Sequence, residues 1–431
     1  MQNGLSGGLL RVRGLAVLRG VLDSPVARDF LSLLDLLSRE GPDPTTVADT
    51  FGRLWEALAL ESDRLLPDAW QSYLVGRILD DENPFSLNAE SGTLTTPVLE
   101  QSRRDLRTFR TLFDLDAPAL LAAIEDAIPG LTGIWVPWTE PDAGAETPRH
   151  TVARKLAAAQ NWGDCAELLA EHHARHGAGK FGRDRAFRWE NGGLVAVTTP
   201  DPMRLSGLVG YGREREPLIQ NTERFLSGLP AHHALLYGLP GTGKSSTVKA
   251  VLNEYADRGL RLVEVAKEDL AELPRVLDIL RRRGPRFILF VDDLSFEEHE
   301  VEYKALKALL EGSVAEPPEN VRVYATSNRR NIVRESFSDR EGADDDVHAR
   351  DTMQEKLSLV ARFGLRLTFP PPDRSLYLEI VAGLARERGL EIQVEELTER
   401  AARWDQWHAG RSGRTARQFV DDLEAELADS V

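Results

Sequence analysis

The chain has 431 residues, 42% hydrophobic and 28% charged, with a formal net charge of −16. That length exceeds one ordinary domain, and no apolar run is long enough to cross a bilayer, so two or three globular domains and no membrane role are expected. The acidic balance opposes non-specific binding to nucleic acid or anionic lipid. A single cysteine, Cys165, forms no internal disulfide, and the first residues lack the apolar core of a secretory signal, so a cytoplasmic location is expected.

Residues 1–180 read as a mainly α-helical N-terminal domain. Apolar residues fall at helical spacing in Phe30–Leu37, Phe51–Leu58 and Asp105–Ile124, and breakers at Pro42, Pro44, 81–97 and Pro137–Pro148 punctuate the pattern. Trp162–Arg175 is a further helix. It carries Cys165 and His172, with His173 and His176 beside them; without a second ligand pair at zinc spacing, exposed histidines on a polar helix are the expected reading. Residues 181–204 form a small β-hairpin and linker, because Ala186–Trp189 and Leu194–Val197 flank an asparagine-glycine turn at Asn191 and Gly192.

From 205 to 371, short β-rich runs alternate with helices. The strands predicted are His233–Tyr237, Arg261–Val265, Phe287–Val291, Val321–Thr326 and Leu365–Phe369. This is the α/β signature of a parallel five-stranded sheet covered on both faces by helices. Arg281–Arg283 with Arg286 suits a helix C-terminus better than a nucleic-acid patch. Residues 335–351 read as a solvated acidic insertion. After Pro370 the chain returns to helix, so 372–431 is expected to be a helical lid with Trp404 and Trp407 in its core.

Gly238, Leu239, Pro240, Gly241, Thr242, Gly243, Lys244 and Ser245 make a complete G-x-x-x-x-G-K-[ST] phosphate loop, and Ser246 continues into a helix. A strand feeding such a loop into a helix aims backbone N–H groups and the helix dipole at a polyphosphate. ATP and Mg²⁺ are therefore the expected cofactors, Lys244 reaching phosphate oxygens and Ser245 holding the metal. The strand Phe287–Val291 ends in Asp292 and Asp293. Asp292 is expected to bind Mg²⁺, and Asp293 to act as the base that polarises water. Val321–Thr326 leads to Asn328, whose amide is placed to orient water against the γ-phosphate.

In this order the phosphate loop, Asp292–Asp293 and Asn328 resemble the Walker A, Walker B and sensor 1 elements of AAA+ ATPases, over roughly residues 205–430. The resemblance implies an AAA+ core with a C-terminal lid. It also implies roles for three further places. Arg362, before Phe363 and Gly364, is similar to the arginine finger of the Holliday-junction branch-migration motor. Arg414, with Arg417 as second choice, resembles the sensor 2 arginine. Leu208, Val209 and Gly210 resemble the segment that packs against adenine. The phrases around Lys244, Asp292 and Asn328, with Phe337–Gly342, look like a bacterial ATPase family catalogued as domain of unknown function 815.

What the resemblance implies is an ATPase that hydrolyses Mg-ATP at subunit interfaces of a homo-oligomer, ring or open, to move an unknown protein or nucleic-acid client. The alternatives are an ATP-gated, loader-like switch with slow hydrolysis and a DNA-remodelling motor; a nucleotide-bound scaffold without turnover is least favoured. Asp293 stands where most AAA+ motors have glutamate, which favours the switch. Ala266–Leu270 lacks the aromatic-apolar-glycine grip of protein unfoldases, which disfavours that activity.

Overall fold

The computed structural model describes residues 2–61, 63–139, 146–294, 306–307, 309–310, 318–328, 359–407 and 410–429. The acidic stretch 335–351 and Phe337–Gly342 lie outside the described residues. The chain divides into two compact units, one of Met1–Arg183 with Arg282–Pro285, the other of Asp184–Arg281 with Arg286–Val431.

The first unit is helical: α1 (Gln2–Arg13), α2 (Pro25–Leu37), α3 (Pro44–Ala59), α4 (Ala69–Asp80), α5 (Pro84–Glu90), α6 (Thr96–Phe113), α7 (Ala117–Ala127), α8 (Pro148–Ala158), α9 (Ala166–His176) and α10 (Lys180–Arg183). Prolines that punctuate the sequence serve here as helix starters. Pro25, Pro44 and Pro84 lie in the first turn, behind Ser24, Asp43 and Asn83, whose side chains accept the orphan N–H groups. The apolar stripes of α2, α3 and α4 meet in one core, where Phe30 stacks on Trp70 with ring centroids 3.5 Å apart.

Buried charge in this unit is answered inside it. One Asp105 oxygen accepts the N–H groups of Ala16, Val17 and Leu18 at 3.2, 2.8 and 2.9 Å. The Glu90 side chain is 0% exposed. Arg283 grips it with two hydrogen bonds of 2.9 and 3.0 Å, and the N–H groups of Ala178 and Gly284 add two more at 2.8 and 2.9 Å. Burial still pushes the Glu90 carboxyl above its usual range, against the pull of Arg283. Arg283 is thus spent on an ion pair rather than offered to nucleic acid.

The histidines of α9 correct the sequence reading. His172, His173 and His176 are 5%, 1% and 9% exposed, so they are core residues and not a solvated face. Burial drives His173 down to about 4, which keeps it neutral against Phe85. Among the described residues no group of three metal-ligating side chains assembles.

The second unit is built on one sheet: β1 (Ala186–Glu190), β2 (Gly193–Ala196), β3 (Ala234–Gly238), β4 (Leu260–Glu264), β5 (Arg286–Val291), β6 (Val321–Ser327) and β7 (Leu365–Phe369), in the order β2-β1-β4-β5-β6-β3-β7. The five predicted strands form the parallel core within a residue of their expected ends. The hairpin, expected apart from the sheet, extends it to seven strands among the described residues. Asn191 and Gly192 take φ of 51° and 75°, the left-handed pair that a two-residue turn needs, and β1 then pairs in parallel with β4, Ala186 opposite Leu262.

Among the described residues, α11 (Gly212–Leu226) leads into β3, α12 (Lys244–Tyr255) joins β3 to β4 and α13 (Leu273–Leu280) joins β4 to β5. Arg286, at the start of β5, lies over the Phe225 ring of α11. Three more follow the sheet: α14 (Arg374–Glu387), α15 (Val394–Trp407) and α16 (Gly413–Asp429). Trp404 packs on Phe419, but Trp407 is 86% exposed, so only the first of the two tryptophans enters the helical core. No described helix is long and apolar enough to cross a membrane.

Candidate functional site

The C-terminal ends of the parallel strands are where an open α/β sheet presents ligand-binding residues. β3 ends at Gly238, and a Cβ there would lie 2.1 Å from the Phe369 carbonyl oxygen of neighbouring β7, so only glycine lets the loop leave at this point. Gly241 and Gly243 take φ of 78° and 87° before α12 begins at Lys244. The Lys244 Nζ is folded back under this loop. It donates to the carbonyl oxygens of Gly238 and Leu239, both at 2.9 Å, and to Asn328 Oδ1 at 3.0 Å. Burial lowers its pKa, opposed by the charges of Asp292 and Asp293. A charged phosphate oxygen is a stronger acceptor for this ammonium than any of these three neutral oxygens.

β5 is buried from Phe287 to Val291 and delivers the two acids. Asp292 Oδ1 accepts from Ser245 Oγ at 2.7 Å and from the Thr326 hydroxyl. Asp293 has φ of 50°, a left-handed conformation that aspartate tolerates better than most residues. Its N–H donates to Thr326 Oγ1 at 2.9 Å, and its carboxylate accepts from the Asn328 amide. Thr326 and Asn328, at the end of β6, therefore hold both acids in place. Ser245 and Asp292 present hard oxygen donors side by side, the donor type that Mg²⁺ takes, so the residues fit that ion.

These groups line one end of a cleft of about 480 Å³. Met203, Leu208, Val209, Ile380 and Leu384 line the same cleft and give it an apolar wall. Val209 fits against α14 where Gly383 leaves room, and a Cβ on Gly383 would come within 2.2 Å of it. The N–H of Gly413, the first residue of α16, donates to the Gly241 carbonyl at 2.7 Å, which seats α16 directly on the phosphate loop. Arg414 and Arg417, in the first turns of α16, line the same cleft.

The structure thus brings together Pro240, Gly241, Thr242, Gly243, Lys244, Ser245, Ser246, Asp292, Asp293, Asn328, Arg414 and Val209. Gly238 and Leu239 contribute carbonyl oxygens rather than cleft surface, and Gly210 stands behind the wall against Leu376. Arg362 is half-buried and does not line the cleft of its own chain. Sequence reasoning missed Thr326, Arg215, Ile380 and Leu384. A hydroxyl two residues before Asn328 is the one visible sign of the first.

A family model described as "Protein of unknown function (DUF815)" matches residues 182–427, more than half of the chain. The chain is 28% identical over 176 residues to the 26S proteasome regulatory subunit 6B homolog of Encephalitozoon cuniculi, covering 37% of this chain and 40% of that protein. It is 30% identical over 121 residues to the proteasome-activating nucleotidase of Sulfurisphaera tokodaii, covering 24% and 31%. It therefore spans less than half the length of these curated relatives. Among solved structures, the RuvB Holliday junction branch migration motor of Thermotoga maritima aligns with a TM-score of 0.37 and 19% identity, over 53% of this chain and 66% of that one. The chain has the AAA+ P-loop ATPase fold and belongs to the DUF815 family.

Proposed function

We propose that this protein binds and hydrolyses Mg-ATP in the cleft of its second unit and uses the cycle to change its association with a partner. The observation that carries this reading is the network joining Lys244, Asn328 and Asp293 on one side and Ser245, Asp292 and Thr326 on the other. When bound, Mg-ATP supplies the phosphoryl group and a metal that neutralises its charge. Lys244 then exchanges neutral acceptors for phosphate oxygens. Asp293 holds the attacking water and takes its proton, with Asn328 fixing the carboxylate. Arg414 approaches the same phosphates from α16, so their loss frees one of two segments held by a common ligand.

Hydrolysis is proposed to need a second copy of the chain. An arginine facing the γ-phosphoryl oxygens is worth several powers of ten in rate, and the position of Arg362 away from its own cleft supports delivery from a neighbour in a ring or open assembly. The test is steady-state hydrolysis against protein concentration, for wild type and Arg362→Ala, with and without DNA. Turnover per chain should rise with concentration and vanish in the variant while ATP binding persists. Concentration-independent turnover would sink the shared-site account.

A second reading, an ATP-gated switch with slow turnover, is favoured by Asp293, whose shorter side chain is held by Asn328. Turnover per minute with ATP-dependent assembly would support it, and stimulation by DNA would favour a remodelling motor instead. The segment after β4 is a short 3-10 helix, Lys267–Glu272, without an aromatic residue. That supports neither peptide threading nor, by itself, transfer of the proteasomal role named for the relatives.

A further inference from the structure

Helix α11 faces the core with Leu218, Thr222 and Phe225, and Tyr211 just before its first turn is buried as well, all 8% exposed or less. Arg215 falls on that face, one turn after Tyr211 and one before Leu218, where the pattern calls for an apolar side chain. It lines the nucleotide cleft. The guanidinium is half-buried, and burial lowers its pKa with only the adjacent Glu214 acting against the shift. Among the described residues its side chain makes no hydrogen bond or ion pair. A half-buried guanidinium with no protein acceptor is only partly hydrated, so an anionic acceptor brought into the cleft would complete its hydrogen bonding.

The charges of the cleft agree. Its described lining carries four cations, Lys244, Arg215, Arg414 and Arg417, against two carboxylates, Asp292 and Asp293. Two of the arginines ride on α16, whereas Arg215 comes from α11, which packs beside β7 of the sheet. We propose that Arg215 is a further nucleotide-contacting residue that binds phosphate oxygens of the nucleotide from the sheet side of the cleft, opposite the arginines of α16. This inference rests on the nucleotide reading of the cleft and adds a contact outside the P-loop and α16. A planar guanidinium with five donors suits a phosphate oxygen pair better than a ribose hydroxyl.

The test is calorimetric binding of Mg-ATP, Mg-ADP and adenosine to the full-length wild type, Arg215→Met, Arg215→Lys and, as control, Lys244→Ala, with the thermal midpoint of each chain measured without nucleotide. Arg215→Met should weaken ATP and ADP roughly 10- to 100-fold, the range of a hydrogen bond to a charged group, and leave adenosine unchanged. Arg215→Lys should recover part of the loss. The midpoint without nucleotide should stay level or rise, because the variant removes a charge that has no protein partner. If Lys244→Ala loses binding and Arg215→Met does not, this inference fails and the site stands. An equal loss for adenosine overturns the phosphate assignment, and a midpoint lowered by several degrees makes Arg215 structural. If the wild type binds no nucleotide, the reading of the cleft fails first.

Discussion

The helical unit and the cleft of the second unit treat charge in opposite ways. Among the described residues of the helical unit, buried charges meet partners from the chain itself: Asp105 takes three backbone N–H groups, Glu90 meets Arg283, and Arg149 meets Asp80 at 2.6 Å. In the cleft of the second unit Arg215 meets none among the described residues, and Lys244 meets only neutral oxygens. A charge paired with an opposite charge inside the chain stabilises a fold, whereas a cation held only by neutral oxygens, or by none, can still gain from an anionic ligand. The contrast is consistent with an architectural role for Glu90 and Arg283 and with the ligand-binding roles proposed for Lys244 and Arg215.

The largest effect should come from Lys244→Ala. It should weaken ATP by at least about a hundredfold and bring turnover to background, because it removes a buried ammonium with three donors from the phosphate end. Retained turnover would break the contrast at its strongest point. Next comes Arg283→Met, which strands the Glu90 carboxylate and should cost about 3–5 kcal/mol in chemical unfolding. Adding Glu90→Gln should return part of that loss. Arg215→Met should cost nothing on the same measure, so equal losses would erase the distinction between the units.

A pH effect of about 3 kcal/mol should follow from His173. Its folded pKa is depressed to about 4 from 6.5, so between those values the unfolded chain binds more protons than the folded one. Stability is full above pH 6.5 and falls as the pH drops towards 4. His173→Leu should flatten that part of the stability profile. Thr326→Val should act more gently, lowering turnover about tenfold with ATP affinity nearly unchanged, since it removes one hydrogen bond to each acid's setting.

Much of the fold and most of the cleft are legible in the amino-acid sequence. Buried parallel strands read as continuous apolar runs, so β3, β5 and β6 stand out, and the residues that follow each one reach the cleft. The phosphate loop carries its own geometry in glycine spacing, which is why Lys244 and Ser245 are found from the motif alone. The hairpin turn is equally plain at Asn191 and Gly192. Its attachment to β4 is not, because pairing between strands about 75 residues apart leaves no local pattern. Thr326 reads as an ordinary strand residue. Arg215 reads as one more charge on a polar helix, and only the fold shows which side of α11 faces the cleft. The histidines of α9 mislead for the same reason, since a polar sequence hides the burial of its inner face.

The most direct test of the central claim is a calorimetric titration of the wild-type chain with Mg-ATP and, separately, with adenosine. Cations that wait for phosphate predict that Mg-ATP binds at least about a hundredfold more tightly than adenosine. Equal affinities, or no heat at millimolar Mg-ATP, would contradict it and return those charges to an unexplained feature of the fold.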